Sequence, residues 1–296
     1  MTARFRGSFP ALITPMTESG AIDEAAMRKL VDWQIEQGSS GLVAVGTTGE
    51  SPTVSAEEHK DIIALVIEQA AGRVPVIAGT GSNSTAEAID YTLHAQKAGA
   101  DAALVVVPYY NKPSQEGLYA HFRAIAQATS LPIFLYNVPG RTVADISVAT
   151  VARLARDCDN IIGIKDASGD LDRPMLLALE AGEDFIQLSG NDGTAMAFNA
   201  CGGVGCISVT ANVAPRLCAD MQAATLQGDF ATARAIQSRL MPLHEAMFCD
   251  TSPGPVKYAA SLLGLCTPFA RLPIVEITDE AKARVRAAMR ALDLIG

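Results

Sequence analysis

Ala-Ala-Leu-Val-Val-Val-Pro, residues 102–108, is a short, almost wholly apolar run rich in β-branched side chains. Such a run is typical of a parallel strand that is covered on both faces. Seven more runs of this kind occur along the chain. Together they predict strands over residues 8–14, 41–47, 74–80, 102–108, 132–138, 161–167, 185–190 and 204–210.

Amphipathic segments separate the eight predicted strands. Met27, Leu30, Val31 and Ile35 follow the spacing i, i+3, i+4, i+8, which places them on one face of a helix. Eight alternating strand–helix units favour a closed (β/α)8 barrel, the TIM barrel, over an open doubly wound sheet. We therefore predict an α/β protein whose residues 1–225 form a TIM barrel.

The last part of the chain, residues 226–296, is mostly helical in pattern and predicts a helical C-terminal extension. We expect Pro242 and the segment 253–255 to break these helices, because proline cannot donate the backbone hydrogen bond that a helix interior needs.

Two helices nearer the N-terminus begin with the spacing of a capping box, Ser55…Glu58 and Ser84…Glu87.

Composition narrows the class of protein. Of the 296 residues 49% are hydrophobic and 19% charged, as in compact globular enzymes. The net charge of −9 and the lack of a basic stripe argue against nucleic acid as a partner. No signal-peptide run and no succession of 18 apolar residues occurs, so we expect no membrane segment. The six cysteines form no CxxC motif and show no zinc-like spacing with histidine, which predicts a cytoplasmic protein with reduced thiols and no metal.

Polar residues collect where the predicted strands end. In a TIM barrel the catalytic side chains lie at the carboxyl ends of the strands, so these positions predict the active site. They are Thr47, Thr48, Gly49, Glu50, Tyr109, Tyr110, Asn111, Tyr136, Asn137, Arg141, Lys165, Asp166, Ser189, Gly190 and Asn191.

Lys165 is the most informative of these residues, because it stands inside the apolar run Ile-Ile-Gly-Ile-Lys-Asp, residues 161–166. A buried lysine is costly to keep charged, and burial favours the neutral amine that attacks a carbonyl to form an imine. Two other interpretations are equally open from position alone. Lys165 either pairs with Asp166 or extends its ammonium group out of the strand end into water.

Three neighbouring features fit an imine-forming site. Tyr136 ends the adjacent predicted strand, where a phenol is able to transfer protons, although a core tyrosine is the commoner case. The turn at residues 46–49 offers two hydroxyls and backbone N–H groups to a carboxylate, but Gly/Thr turns are frequent. Arg141 is able to present a guanidinium fork to a carboxylate, or is an ordinary surface arginine.

Taken together, these motifs resemble the dihydrodipicolinate synthase branch of the pyruvate-dependent class I aldolase superfamily. The resemblance covers essentially the whole chain, and several ordered motifs in register are more specific than any one of them. Arg141 resembles the mark of the synthases, since related sialic-acid lyases and sugar-acid aldolases generally lack it. The motifs occupy residues 46–51, 79–83, 108–113, 136–142, 163–166, 188–192 and 205–212.

The resemblance implies that Lys165 forms an imine with pyruvate, and that the derived enamine adds to aspartate 4-semialdehyde to give 4-hydroxy-tetrahydrodipicolinate. This is the first committed step of lysine and diaminopimelate biosynthesis. It implies no metal and no cofactor beyond the covalent imine, and a homotetramer built as a dimer of dimers. The implied roles are a proton relay of Tyr136, Thr48 and Tyr110, the last from a partner subunit; pyruvate carboxylate binding by Thr47 and Thr48; semialdehyde carboxylate binding by Arg141; and main-chain carbonyls from Gly190 and Ile207.

The resemblance also implies an inhibitory L-lysine site at a dimer interface. The matching residues are Ser51, His59, Asn83, Glu87 and Tyr109. Pro52 and Ala56 depart from the pattern, because strongly inhibited members often carry a small residue and a histidine there. Glu87 and His59 also have structural explanations, as a capping-box residue and a helix-face residue.

Two alternative functions remain open from the sequence. One is another Schiff-base aldolase, such as an N-acetylneuraminate lyase, a 2-keto-3-deoxy sugar-acid aldolase or a hydroxy-oxoglutarate aldolase. The other is a non-enzymatic barrel that binds a metabolite, with Gly202 and Gly203 in a phosphate cradle. The non-enzymatic interpretation leaves the convergence of Lys165, Tyr136 and Arg141 unexplained.

Overall fold

The structure, a computed structural model, describes residues 4–296. Eight parallel strands form its centre, and each overlaps one of the predicted runs. All eight are shorter than predicted, because the residues at their carboxyl ends leave the sheet to form the rim. The strands are β1 Gly7–Pro10, β2 Leu42–Ala44, β3 Val76–Gly79, β4 Ala102–Val106, β5 Ile133–Asn137, β6 Ile161–Asp166, β7 Ile186–Ser189 and β8 Gly205–Ser208.

The strands close into a ring. Neighbours pair in parallel from β2 through β8, and β8 pairs with β1. Between β1 and β2 the ring is completed by a parallel bridge from Ala11 to Val43 and by a hydrogen bond of 3.0 Å from Leu12 N to Val43 O. The predicted TIM barrel is therefore confirmed.

Apolar side chains fill the interior of the barrel. Phe9, Phe134 and Leu188 belong to this inner cluster and are completely buried. The Phe9 ring lies so close to Gly41 that a Cβ atom there would stand 2.2 Å from Phe9 Cε1. Packing of this density gives the strand ends a rigid base, which is what a precisely arranged rim requires.

Helices surround the barrel and extend beyond it. A second, larger apolar cluster packs between the strands and these helices. The helices are α1 Glu24–Glu36, α2 Ala56–Ala70, α3 Thr85–Ala98, α4 Gln115–Ala128, α5 Pro139–Thr142, α6 Val148–Asp157, α7 Arg173–Ala181, α8 Ala195–Ala200, α9 Pro215–Leu226, α10 Phe230–Ala246, α11 Gly254–Leu262 and α12 Asp279–Arg290.

One of the two predicted capping boxes is complete. At the start of α2, Ser55 Oγ accepts from Glu58 N at 3.2 Å, and Glu58 Oε2 accepts from Ser55 N at 2.8 Å. At the start of α3, Ser84 caps Glu87 N, but the Glu87 carboxylate accepts instead from the Ser82 hydroxyl. The prediction of a second capping box was therefore wrong for the hydrogen bond from Ser84 N to the Glu87 side chain, because the Ser82 hydroxyl bonds that carboxylate instead.

The C-terminal extension is helical, as predicted, and its helix α10 packs on both α9, which follows β8, and α12. The expectation that Pro242 breaks a helix was wrong, since α10 continues through it. A proline inside a helix costs about 3 kcal/mol. The neighbouring Leu240 and Leu243 are completely buried, and their packing offsets that cost. Pro255, by contrast, lies in the first turn of α11, where a missing N–H is harmless. The division of the chain at residue 225 stays a prediction.

All six cysteines lie in the described part of the chain and carry free thiols. None of the helices in residues 4–296 has the length and apolar character needed to cross a membrane.

Three histidines are buried and each leaves a ring nitrogen without a hydrogen-bond partner in the described chain: His59, His121 and His244. Burial lowers the pKa of His59 and of His121 from 6.5 to about 4. Burial likewise lowers the pKa of His244. A group whose pKa is lower in the folded than in the unfolded chain stabilises the fold above its unfolded pKa, and this stability is lost as the pH falls.

We therefore expect the free energy of unfolding to decrease as the pH falls from 6.5 toward 4, before most carboxylates titrate. His121 alone should contribute a loss of about 2 kcal/mol by pH 5. In the His121→Gln variant, the free energy of unfolding measured with urea should decrease less between pH 7 and pH 5 than in the wild-type protein, and the difference should equal that amount. The matched control Phe122→Leu, on the same helix, should lower stability without changing the slope. An unchanged slope in His121→Gln would contradict the prediction.

Candidate active site

Lys165 points into the barrel at the upper end of β6. It is in register with Tyr136 on β5 and with Leu188 on β7, and its side chain therefore faces the barrel interior with theirs. Lys165 is only 6% exposed, and its Nζ lies 4.1 Å from the centre of the Tyr136 ring. The interpretation that the lysine extends out into solvent is therefore wrong.

Asp166 does not pair with Lys165. Its Oδ2 accepts from Arg173 Nε at 2.8 Å, and its Oδ1 accepts from the backbone N and the hydroxyl of Ser168. Successive strand residues face opposite sides of the sheet, so Asp166 turns toward α7 while Lys165 turns inward. Within residues 4–296 no carboxylate forms an ion pair with Lys165. The interpretation that Lys165 pairs with Asp166 is therefore wrong.

The two threonines occupy a short 3₁₀ turn after β2. The turn spans Thr47–Gly49, and a hydrogen bond of 3.0 Å from Gly49 N to Gly46 O closes it. Thr48 is buried and Thr47 partly exposed, and both line the same cavity as Lys165. A tight turn of this kind directs hydroxyls and backbone N–H groups to one place, which suits an anionic group.

Arg141 is held by a folded loop above β5. Asn137 anchors the loop, donating to Asp145 Oδ1 at 2.8 Å and accepting from Ile146 N at 3.2 Å. Thr142 Oγ1 bonds the carbonyl oxygens of Val138 and Ala144, at 3.1 and 2.8 Å. Arg141 itself lies in α5 and is exposed, with its side chain over the cavity. The guanidinium group is therefore positioned by its backbone and open to a ligand.

These residues enclose one cavity of about 240 Å³. Gly190 forms part of its wall: a Cβ atom there would lie 2.7 Å from Ala167 Cβ and 3.0 Å from Lys165 Cε, so only glycine leaves the lysine its place. The lining residues are Thr47, Thr48, Tyr136, Val138, Arg141, Lys165, Ala167, Gly190, Asn191, Val209, Phe248 and Ser252. The arrangement places an amine, a phenol, two hydroxyls and a guanidinium group around a volume suited to small carboxylic acids.

Two of the residues with an implied substrate or relay role, Ile207 and Tyr110, lie outside this cavity, as do the predicted rim residues Gly49, Glu50, Tyr109, Asn111, Asn137, Asp166 and Ser189. Ile207 is buried on β8 with its side chain in the inner cluster. Tyr110 is 91% exposed and has a left-handed backbone, with φ of 71°. Tyr110 therefore does not line the cavity of its own chain. Asn137 supports the Arg141 loop, and Glu50 is buried beneath the threonine turn.

Phe248 and Ser252 complete the cavity from the C-terminal extension, and the strand-end pattern did not identify them. They follow α10, on a segment that no barrel strand precedes. The only sequence signal near them is the proline-rich segment 253–255, which marks a turn but not its direction.

A second cavity, of about 440 Å³, adjoins the first and shares Thr47, Val138 and Arg141 with it. Four of the five residues expected to bind L-lysine line it, namely Ser51, His59, Glu87 and Tyr109. The fifth, Asn83, is outside the lining but donates to Tyr109 O at 3.2 Å. The ring of His59 stacks on Tyr91 at 4.1 Å. Pro52 and Ala56, the two departures, also line this cavity.

Within residues 4–296, no group of three or more His, Cys, Asp or Glu side chains is arranged to hold a metal ion.

Comparison with known proteins decides the family. The sequence profile of the Dihydrodipicolinate synthetase family matches residues 4–292. The chain belongs to this family. A 4-hydroxy-tetrahydrodipicolinate synthase from Rhodospirillum centenum is 62% identical over 285 residues, which cover 96% of this chain and 97% of that relative. Family membership and the names of the relatives favour the predicted synthase activity. They disfavour the alternative aldolases and a non-enzymatic barrel.

Solved structures of the family show the same fold. The chloride inhibited dihydrodipicolinate synthase from Acinetobacter baumannii, complexed with pyruvate, is 46% identical with a TM-score of 0.96, over 98% of this chain and 99% of that one. The dihydrodipicolinate synthase from Cyanidioschyzon merolae with lysine bound is 39% identical with a TM-score of 0.96, over 99% of both chains.

Proposed function

We propose that this enzyme condenses pyruvate with L-aspartate 4-semialdehyde through an imine on Lys165, giving 4-hydroxy-tetrahydrodipicolinate. The observation that carries the proposal is the buried Lys165 amine, which faces a cavity beside Tyr136 and has no carboxylate partner in the described chain. No metal or cofactor is needed in this scheme, because the imine itself supplies the electron sink.

The reaction begins with attack of the Lys165 amine on the pyruvate ketone. The resulting carbinolamine loses water to give a protonated imine, and loss of a methyl proton gives the enamine. The enamine carbon adds to the aldehyde of the semialdehyde. The amine of the semialdehyde then displaces Lys165 and closes the ring, which frees the enzyme. Each of these proton transfers needs a nearby acid or base, and Tyr136 and Thr48 lie in the cavity for that purpose.

The two substrate carboxylates have separate binding groups. The turn at Thr47 and Thr48 offers hydroxyl and backbone donors to the carboxylate of pyruvate, with the ketone directed at Lys165. Arg141 lies at the opening of the cavity and offers a bidentate fork to the carboxylate of the second substrate. Gly190 leaves room beside the imine. For Ile207, only its main-chain carbonyl is proposed to contribute.

Borohydride trapping with pyruvate tests the proposal. Reduction should fix a pyruvyl group on the protein, and mass spectrometry of the digest should find it on the Lys165 peptide alone. Omitting pyruvate is the control. No adduct on folded protein with excess pyruvate, or an adduct on another lysine, would overturn the proposed mechanism.

Arg141→Ala should impair the second substrate selectively. A charge-assisted hydrogen bond contributes about 1.5–3 kcal/mol, so kcat/KM for the semialdehyde should fall roughly 10- to 150-fold. Trapping of pyruvate alone should be unchanged, since Arg141 is assigned to the other carboxylate. Arg141→Lys keeps the charge without the fork and should recover only part of the loss. An intact semialdehyde reaction in Arg141→Ala would remove Arg141 from the binding of the second carboxylate, and with it the residue that favours a synthase over the sugar-acid aldolases.

We also propose that the second cavity binds L-lysine as an inhibitor. Glu87 supplies a carboxylate for an ammonium group, and Ser51, His59 and Tyr109 supply polar contacts. The relative from Cyanidioschyzon merolae was solved with lysine bound, which supports this ligand.

Millimolar L-lysine is expected to lower the rate at fixed substrate concentrations. Glu87→Gln removes the carboxylate charge and should weaken the inhibition by about tenfold or more in lysine concentration. D-lysine is the matched control ligand. A rate unaffected by L-lysine would overturn the proposal.

The chain is further proposed to act as a cytoplasmic homotetramer, a dimer of dimers, in which Tyr110 reaches the cavity of a neighbouring subunit. The nearly complete exposure of Tyr110 supports this assignment, because a relay tyrosine directed away from its own cavity needs a partner's. The free thiols support the location. Sedimentation velocity of wild-type protein tests the assembly, and a monomer with full activity would contradict it.

A further inference from the structure

Glu50 occupies a conspicuous position directly after the threonine turn. Its backbone is left-handed, with φ of 60°, a conformation that costs energy for a residue with a side chain. The Glu50 N–H donates to Thr47 O at 3.1 Å, which closes the turn from below. The backbone of Glu50 is therefore bonded directly to the turn that carries Thr47 and Thr48.

The side chain of Glu50 is fixed by the C-terminal extension. Glu50 Oε1 lies 2.5 Å from Nζ of Lys257 on α11, and Glu50 Oε2 accepts from Arg271 N at 2.9 Å. The side chains of Lys257 and Glu50 are 0% and 2% exposed. The pair is thus a completely buried salt bridge that joins α11 to the loop after β2.

A second chain of contacts reaches the same turn. Lys257 Nζ donates to Thr14 O at 2.9 Å, and Thr14 Oγ1 donates to Gly49 O at 2.7 Å. Gly49 is also confined sterically, since a Cβ atom there would meet Leu12 O at 3.0 Å. Lys257 therefore reaches the C-terminal end of the turn by two routes, directly through Glu50 and indirectly through Thr14.

Stability is a poor explanation for this pair. Removing two charges from water is costly, and apolar replacements of buried pairs are often neutral or stabilising. Burial lowers the pKa of Lys257, which reflects that cost, while the Glu50 carboxylate opposes the shift. Unlike an apolar pair, the salt bridge fixes the geometry of the loop. The partly buried Arg271–Glu58 pair nearby joins side chains at the start of α2 instead, and only the backbone N–H of Arg271 reaches Glu50.

We propose that the Glu50–Lys257 salt bridge is a positioning device that holds Thr47 and Thr48 in the conformation that receives the pyruvate carboxylate. Through it the C-terminal extension acts on substrate binding although Lys257 touches no substrate. The inference rests on the proposed assignment of the two threonines to that carboxylate.

The test separates positioning from stability by comparing single and double variants. Glu50→Gln keeps the shape but leaves Lys257 as a buried, unpaired charge, and Lys257→Met does the converse. Both single variants should be less stable. The double variant Glu50→Gln/Lys257→Met has no unpaired charge and should regain most of the stability. If the pair positions the turn, the double variant keeps a pyruvate KM raised roughly 10- to 100-fold, as expected for a binding group displaced by about 1 Å.

The split between kinetic constants is the deciding readout. The KM for pyruvate should rise in all three variants, while borohydride trapping at saturating pyruvate should reach the wild-type yield, because Lys165 is untouched. Val285→Ala, a buried position on α12 away from the turn, is the control for a general loss of stability and should leave the pyruvate KM unchanged.

A double variant with both stability and pyruvate KM at wild-type values would overturn the inference. So would a rise in KM of equal size in Val285→Ala. Failure of the underlying function is distinguishable, because wild-type protein would then form no pyruvate adduct at all. If the single variants do not fold, the double variant alone still decides between the two outcomes.

Discussion

Lys165→Met is expected to abolish the condensation, with kcat/KM lower by on the order of 10⁵-fold, as when a covalent nucleophile is removed. No other lysine lines the cavity in the described chain. Lys257, also buried, is engaged by Glu50 and the Thr14 carbonyl. Steady-state kinetics with both substrates measure the loss, and the borohydride adduct should vanish with it.

Stability makes this prediction sharper. Methionine keeps the aliphatic stem of Lys165 and removes an amine that has no ionic partner, so the free energy of unfolding should be equal or greater. Loss of activity in a protein of undiminished stability then reports chemistry alone. Lys97→Ala, at the exposed end of α3, is the matched control and should retain full activity. Substantial turnover or a remaining adduct in Lys165→Met would remove Lys165 from the mechanism.

Tyr136→Phe is expected to have the second largest effect, a fall in kcat of roughly 10²- to 10⁴-fold, the range for loss of a general acid–base group. The Tyr136 phenol lines the cavity, and its ring lies 4.1 Å from Lys165 Nζ. The phenylalanine ring keeps this packing, so pyruvate should still be trapped on Lys165, but more slowly. Single-turnover trapping rates measure the step directly.

The control for Tyr136 is a tyrosine whose hydroxyl is bonded elsewhere. Tyr119 donates to Asp157 Oδ2 at 2.8 Å, far from the rim, and Tyr119→Phe should leave kcat unchanged. A decrease smaller than tenfold in Tyr136→Phe would assign proton transfer to Thr48 or to a neighbour's Tyr110.

The barrel was predictable from the sequence because its strands are buried on both faces. Runs such as residues 102–108 carry that burial in their composition, and the alternation with amphipathic helices carries the topology. The rim residues followed from one rule about strand ends. This rule placed five residues together, and the structure brings all five to one cavity: Lys165, Tyr136, Thr47, Thr48 and Arg141.

Contacts that depend on side-chain direction were not predictable. The alternation of strand faces explains why Asp166 does not pair with Lys165. Its actual partner, Arg173, comes from a later helix, and no sequence rule identified it. The Glu87 carboxylate accepts from Ser82 and does not complete the capping box. Helix α10 continues through Pro242 because tertiary packing outweighs local preference. Phe248, Ser252 and Lys257 come from outside the barrel repeat, so no strand-end rule reaches them.

The wall shared by the two cavities couples whatever occupies them. The side chain of Arg141 borders both, and a single guanidinium group adopts only one orientation at a time. A ligand that draws it toward one cavity changes the binding free energy available in the other. Thermodynamic linkage makes this change reciprocal. Under the proposed assignment of L-lysine to the second cavity, the second substrate should therefore alter the affinity for L-lysine by the same factor as L-lysine alters the affinity for that substrate.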